Sequence, residues 1–179
     1  MSTPWSRLFG YKSNHQSENV STIDLLSRVP LFEDLNGREL NSVEQILHRR
    51  HYLRNELIFR QGERGIGMYI LERGVVTITS EPVMHELFEL KEGDFFGEVA
   101  LLDELPRSAT ALAKTDCDIF GFFQPDLFEL IKRDSRLGVK IVLRVSRIIG
   151  QRLRQSNERE LALSSELDAL KRQVANNAR

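Results

Sequence analysis

Short apolar runs separated by glycines dominate the middle of the chain, from about residue 50 to residue 124. Each run is shorter than a typical helix, and residues 76–79 alternate Val and Ile with Thr, as expected for a strand with one face toward water. Many short strands joined at glycines predict a β-sandwich or β-roll. The predicted strands are residues 57–59, 68–71, 75–79, 86–88, 109–114 and 119–123.

Helical patterns flank this region on both sides. Ser21 and Thr22 can cap a short helix, which Pro30 ends because a proline disfavours helix at the residue before it. Asn36 followed by Glu39 forms a predicted capping box, and the apolar spacing after it predicts a helix to about residue 47. A further short helix is predicted over residues 125–132, with proline at its first position.

The last predicted element is one long helix from about residue 137, since no proline follows. Its residues at alternating steps of three and four predict a coiled-coil seam with a polar interruption in its middle. The seam positions are Val142, Ser146, Ile149, Leu153, Ser156, Glu160, Leu163, Leu167, Leu170 and Val174. The flanking charges, including Arg152, Arg154, Glu158, Arg159, Glu166 and Lys171, are predicted to be solvated. The alternative is a solitary amphipathic helix that folds back onto the strands.

Residues 1–20 are polar with an apolar island at Trp5, Leu8, Phe9 and Tyr11. This composition predicts a flexible N-terminal tail, with a short docking peptide as the alternative. The predicted organisation is therefore a tail (1–20), a mainly β domain (21–136) and a long helix (137–179).

Composition narrows the function classes. The 179 residues are 41% hydrophobic and 28% charged, and the formal net charge of −1 gives no electrostatic case for nucleic acid or an anionic membrane. A single cysteine, Cys117, excludes an intramolecular disulfide, and no apolar run reaches the length of a membrane span. We therefore expect a cytoplasmic protein. No nucleophile, metal-ligand set or acid–base pair stands out, and His48, His51 and His85 are predicted to be surface residues, so an enzyme is not expected.

The stretch from 95 to 110 contains the residues best suited to bind a ligand. Gly97 permits a tight turn after two aromatic residues, and the N–H groups that follow it, through Ala100 and Leu101, would be the unpaired donors of a helix start, which favour an anion. Arg107 can add a bidentate clamp on that anion. Because an anion would repel the Glu98 carboxylate, the expected partner of Glu98 is a neutral donor such as a sugar hydroxyl. The stretch therefore predicts a site for a sugar-phosphate.

This stretch resembles the phosphate-binding cassette of cyclic nucleotide-binding domains, F-G-E-[LIV]-[AG]-L-[LIF] followed by [PE]-R-[AST]-A, at every position. The segments Q-G-E-x-x-x-x-M-Y-I-L-x-x-G-x-V (61–76) and L-L-x-x-V-P-L-F-x-x-L (25–35) are also similar to that family. The resemblance implies an α+β, mainly β fold: a double-stranded β-helix or jelly-roll with N-terminal helices and a long C-terminal helix.

The resemblance also implies roles for individual residues. The cyclic phosphate would bind the Val99 and Ala100 amides, Arg107 and Ser108, while Glu98 would bind the ribose 2′-hydroxyl. The base would lie under the long helix near Ser156 and Asn157, an alignment good to about one turn, so that Arg154 and Gln155 share the prediction. The predicted ligand-binding residues are Gly97, Glu98, Val99, Ala100, Arg107, Ser108, Ala109, Ser156 and Asn157.

The function implied is a cyclic nucleotide sensor that signals to an unidentified effector by reorienting its C-terminal helix and dimerises through it. Cyclic AMP is the favoured ligand because bacterial relatives with R-S-A are cAMP receptors, and cGMP is the alternative. The family's transcription factors carry a winged helix-turn-helix after this helix, whereas residues 158–179 continue the heptads, so no DNA-binding domain is expected. The rival interpretation is a ligand-free interaction or adaptor module that keeps the fold and dimerises through the C-terminal helix.

Overall fold

The computed structural model describes residues 21–80 and 85–177, so the predicted tail at 1–20 lies outside the described residues. Two four-stranded antiparallel sheets form the body, with helices before and after them. The strands are β1 (His48–Tyr52), β2 (Leu57–Phe59), β3 (Gly67–Arg73), β4 (Val76–Ser80), β5 (His85–Leu90), β6 (Phe95–Phe96), β7 (Thr110–Ala113) and β8 (Cys117–Phe123). The helices are α1 (Thr22–Arg28), α2 (Gly37–Glu44), α3 (Val99–Leu102), α4 (Gln124–Arg133) and α5 (Ser135–Asn177), with a 3-10 helix at Pro30–Phe32. This architecture confirms the predicted fold class.

The strand order is β1-β8-β3-β6 in one sheet and β2-β7-β4-β5 in the other. Alternation along β3 gives it two buried faces: Leu71 packs with the second sheet, whereas Met68 and Ile70 pack with the helices. The cluster between the sheets also holds Val76 and Ile119. The roll therefore has an inner core between its sheets and an outer core beneath its helices.

The N-terminal helices begin where the sequence predicts. The Asp24 amide donates to Ser21 Oγ at 3.2 Å, and the Asn36 amide donates to Glu39 Oε2 at 2.9 Å to complete the capping box. The prediction of helix to residue 47 was wrong at its end, because α2 stops at Glu44 and residues 48–52 form strand β1. This strand lies at a sheet edge with three exposed residues in its middle, so it lacks the apolar alternation that signals a strand.

Helix α5 has two different halves. Its first half packs on the outer core through Leu137, Ile141, Val145 and Ile148, and two residues of the predicted seam, Val142 and Ile149, also pack against this core. The seam leucines beyond them are more than half exposed: Leu153, Leu163, Leu167 and Leu170. The helix thus folds back onto the body at first and then extends away from it. Among the described residues, no helix combines the length and apolarity that a membrane span requires.

Candidate functional site

The predicted cassette surrounds a cavity of about 460 Å³. Strand β6 leads through Gly97 into α3, and the chain returns past Arg107 into β7. Seven of the nine predicted ligand-binding residues line this cavity: Gly97, Glu98, Val99, Ala100, Arg107, Ser108 and Ala109. Apolar side chains form much of the remaining wall, among them Phe59, Ile78, Leu87, Phe88 and Leu105.

Gly97 makes the close approach of Arg107 possible. Its φ is 73°, a left-handed conformation that residues with a Cβ rarely adopt, and a Cβ there would lie 2.6 Å from Arg107 Nη1. The glycine is therefore required both by the turn and by the arginine that packs over it.

The amides at the start of α3 correct one sequence-based expectation. The Ala100 and Leu101 N–H groups donate to the carbonyls of Gly97 and Glu98, at 3.2 and 3.1 Å, so they are not unpaired donors. These i to i−3 bonds tighten the first turn in the manner of a 3-10 helix. An anion in this cavity would have to share these donors, and two cationic side chains, Arg107 and Arg152, also line the cavity.

Arg107 is a buried cation, 8% exposed, at the wall of the cavity. Its Nη1 donates to the Gly97 carbonyl at 3.1 Å, and its Cζ lies 4.2 Å from the centre of the Phe59 ring. Burial lowers the pKa of Arg107, while Tyr69 and Glu98 act in the opposite direction. Within the described part of the chain, no carboxylate forms an ion pair with this guanidinium. A buried arginine without a carboxylate partner, facing a cavity, is suited to bind an anionic ligand.

Glu98 is held by a residue of α5. Its side chain is 8% exposed, and its Oε2 lies 2.6 Å from Nη1 of Arg152. Arg152 also donates to the Phe95 carbonyl at 3.3 Å, and its Cζ lies 4.7 Å from the centre of the Phe95 ring. The carboxylate predicted to recognise a sugar is thus linked directly to the C-terminal helix.

The prediction that Arg152 is solvated was wrong, since its side chain is 19% exposed and lines the cavity. A signal was present in the sequence, because residues 141, 145, 148 and 152 continue one face at steps of four, three and four. The arginine lies one turn beyond the last buried apolar residue on that face.

Ser156 and Asn157 do not line the cavity. Both are exposed on α5, about one helical turn beyond Arg152. Their predicted contact with the base remains a prediction. The apolar wall contributed by β5 and the loop before Arg107 was not predicted, and it includes Leu87 and Leu105, which are 48% and 65% exposed.

The β-roll thus holds a buried arginine and a buried carboxylate in the wall of one cavity, an arrangement that could bind an anionic ligand. Residues 49–134 match the family model described as cyclic nucleotide-binding domain. The match spans just under half of the chain, and it places residues 49–134 in the cyclic nucleotide-binding domain family.

Comparisons with individual proteins agree with this membership. The chain is 33% identical over 128 residues to a candidate potassium channel protein of Rhodopseudomonas palustris, covering 71% of this chain and 31% of the relative. It is 38% identical over 90 residues to the cAMP-dependent protein kinase regulatory subunit of Yarrowia lipolytica, covering 50% of this chain and 24% of the relative. The crystal structure of Thermus thermophilus catabolite activator protein superposes with a TM-score of 0.67 at 30% identity, covering 75% of this chain and 63% of that one. The chain thus spans a third or less of these two sequence relatives.

Proposed function

We propose that this protein binds a cyclic nucleotide, cAMP in the first place, and transmits its binding through α5. The observation that carries the proposal is the buried Arg107, which has no carboxylate partner among the described residues and faces the cavity beside Glu98. The family membership and the names of the relatives, a cAMP-dependent kinase subunit and a catabolite activator protein, support the same ligand class.

In the proposed complex, the cyclic phosphate pairs with Arg107 while the ribose 2′-hydroxyl donates to Glu98. A charge-assisted bond to a guanidinium is among the strong interactions available to a phosphate. The base lies against the apolar wall, where Leu87 and Leu105 are exposed without a ligand. This wall offers hydrophobic contact to either purine, and the choice between cAMP and cGMP is to be decided by measurement.

Transmission begins at Glu98. Because its carboxylate pairs with Arg152, a ribose hydroxyl that takes one of its oxygens changes the contact that holds α5 at the cavity. Nearer the start of the helix, Lys140 Nζ lies 2.6 Å from Glu39 Oε1, and Arg144 Nε donates to the Pro30 carbonyl at 2.8 Å. Reorientation of α5 would therefore also move the N-terminal helical segment.

We further propose that the extended half of α5 pairs with a second copy of this chain. Its exposed leucines at 163, 167 and 170 follow coiled-coil spacing and belong to neither core cluster of the described residues. An effector would then recognise the ligand-dependent orientation of the paired helices.

The ligand is tested by thermal unfolding of the purified protein with cAMP, cGMP, 5′-AMP and cyclic dinucleotides in parallel, after ligand retained from expression has been identified by mass and removed. We expect cAMP to raise the Tm most, and 5′-AMP to have little effect because its phosphate is not cyclised. If no nucleotide raises the Tm, the proposal fails and the ligand-free adaptor interpretation is favoured.

A further inference from the structure

The loop between β2 and β3, residues 60–66, holds the backbone of Arg107. The Gly62 amide donates to the Arg107 carbonyl at 2.9 Å, and the Arg107 amide donates to the Glu63 carbonyl at 2.8 Å. None of the residues of this loop lines the cavity, and all of them belong to the described part of the chain. Any effect of the loop on a ligand would therefore pass through Arg107 or another residue of the cavity wall.

Further bonds fix the shape of the loop. Glu63 Oε2 accepts from the Arg60 amide at 3.0 Å, and the Glu63 amide donates to the Arg60 carbonyl at 3.2 Å. Arg64 and Pro106 form an antiparallel bridge beside the bonds to Arg107. Because these bonds close the loop on itself and join it to the segment before β7, its backbone offers a fixed surface to Arg107.

Gly65 is the buried residue of this loop, between the exposed Arg64 and Ile66. Its φ lies outside the left-handed region, so the backbone conformation does not require a glycine here. A Cβ at this position would lie 3.0 Å from both the Cζ and the Nε of Arg107, and 2.4 Å from the Ala100 Cβ. Non-bonded carbon atoms pack best at about 3.5–4.0 Å, so it is the lack of space that requires the glycine.

Two further groups contact the guanidinium of Arg107. Its Nη1 donates to the Gly97 carbonyl at 3.1 Å, and its Cζ lies 4.2 Å from the centre of the Phe59 ring. Since the side chain is buried in a close-packed wall, it cannot move away from Gly65 without changing these contacts. The backbone of Gly65 also packs against Ala100, so one residue borders both the cation and the first turn of α3.

We infer that Gly65 is a positioning residue for phosphate recognition: because it has no side chain, the guanidinium of Arg107 lies against the loop backbone, at a fixed distance from the first turn of α3. Both of these groups line the cavity, whereas Gly65 does not. A cation held in place before binding loses less side-chain entropy than a mobile one. This inference rests on the proposed cyclic nucleotide binding, but the positioning belongs to the ligand-free protein.

Two measurements on Gly65→Ala test it. In the ligand-free protein, NMR gives the position of the Arg107 Nε–H signal, which is assigned by its absence in Arg107→Lys. Calorimetry gives the affinity for cAMP. We expect the signal to move, since the new Cβ displaces the guanidinium from its place over the Phe59 ring. We expect cAMP to bind about tenfold more weakly, because the displaced guanidinium loses part of its charge-assisted bond to the phosphate.

Gly74→Ala is the matched control, with the same substitution at the other end of β3. Its Cβ would lie 2.5 Å from the Asp116 carbonyl oxygen, and neither residue lines the cavity. This variant should have a lower Tm than the wild type. Its Arg107 signal and its affinity for cAMP should stay unchanged, which distinguishes positioning from general destabilisation.

Ala100→Gly separates the contact of Gly65 with Arg107 from its contact with α3. It removes the atom that lies 2.4 Å from the new Cβ, so in this background Gly65→Ala should lower the Tm less than in the wild type. The close contacts with Arg107 remain. The Nε–H signal should therefore still move, and the affinity should still fall about tenfold relative to Ala100→Gly alone.

An affinity that recovers together with the Tm in the Ala100→Gly background would show that Gly65 acts through α3 alone and would overturn the inference. An unmoved Arg107 signal in Gly65→Ala would overturn it as well. If the wild-type protein binds no cyclic nucleotide, the proposed function fails, while the Arg107 signal of the ligand-free variants still decides on the positioning.

Discussion

Arg152 Nη1 lies 2.6 Å from Glu98 Oε2, joining the long C-terminal helix to the residue that precedes α3 in the cavity wall. Both side chains are largely buried, at 19% and 8% exposure, so neither charge is well solvated if the other is removed. The ion pair therefore links the cavity to α5, together with the contacts of Arg152 with the carbonyl and the ring of Phe95.

Arg152→Gln should lower the free energy of unfolding by about 3 kcal/mol, because it leaves Glu98 buried without its cationic partner. Hydrogen exchange of the α5 amides around residue 152 should accelerate without ligand. Arg154→Gln, two residues further on at an exposed position, is the matched control and should change stability by less than about 0.5 kcal/mol. Equal behaviour of the two variants would refute the link.

Gly97→Ala should disturb the cavity where Gly97 contacts Arg107. The φ of 73° costs an alanine about 1–2 kcal/mol, and the new Cβ would meet Arg107 Nη1 at 2.6 Å. We expect a destabilised protein whose cAMP affinity falls at least about tenfold, since the guanidinium must move. At Gly37 no atom lies within 4 Å of where a Cβ would be, so Gly37→Ala is the control. It should leave the affinity for cAMP and the free energy of unfolding, measured by chemical denaturation, unchanged. Normal binding by Gly97→Ala would show that the glycine does not set the position of the arginine.

Asp94 should make stability depend on pH. Burial raises the pKa of Asp94, although the Lys91 amide and Arg152 act in the opposite direction. The folded state therefore binds the carboxyl proton of Asp94 more tightly than the unfolded state does. The free energy of unfolding should fall as the pH rises from about 4 through the raised pKa of Asp94, and it should stay low above that pKa.

Asp94→Asn keeps an oxygen for the Lys91 N–H, which the aspartate accepts at 2.8 Å, and cannot ionise. Its Tm should equal that of the wild type near pH 3 and exceed it at pH 7. Asp168→Asn, on the exposed half of α5, should give no pH-dependent difference. A wild-type Tm above that of Asp94→Asn at pH 7 would contradict the expected sign.

Leu167→Asp tests the proposed pairing of α5. This leucine is 52% exposed on the face that also carries Leu163 and Leu170, and a carboxylate at a coiled-coil core position is strongly disfavoured. Sedimentation velocity should show a dimer for the wild type and a monomer for this variant. Leu161→Asp makes the same change off the seam and should remain dimeric. A wild type that sediments as a monomer at high concentration would exclude pairing through this helix.

The features that the sequence predicted well are those that depend on a residue type. Gly97, Glu98 and Arg107 line one cavity, and they could be recognised in a short stretch because the positive φ of the turn needs a glycine and the two charged residues follow it closely in sequence. Strand β1 was missed because an edge strand with exposed Arg49 and Arg50 has no apolar alternation.

The role of Arg152 could not be predicted from its residue type, since an arginine on a long helix is ordinarily solvated. It depends on the angle at which α5 leaves the outer core, which brings this arginine over Glu98 and leaves Ser156 exposed. The first amides of α3 donate to carbonyls of the same turn. A helical pattern in the sequence does not show whether the first amides of a helix are hydrogen-bonded in this way or unpaired.

The most direct test is calorimetric titration of cAMP into the wild type and Arg107→Ala, with Gly37→Ala as the control for folding. We expect one site per chain with an affinity on the order of micromolar, about −8 kcal/mol. Removal of the buried charged partner of a phosphate typically costs about 2–5 kcal/mol, so Arg107→Ala should bind at least about 30-fold more weakly. Binding of cAMP by Arg107→Ala with the affinity of the wild type would contradict the account.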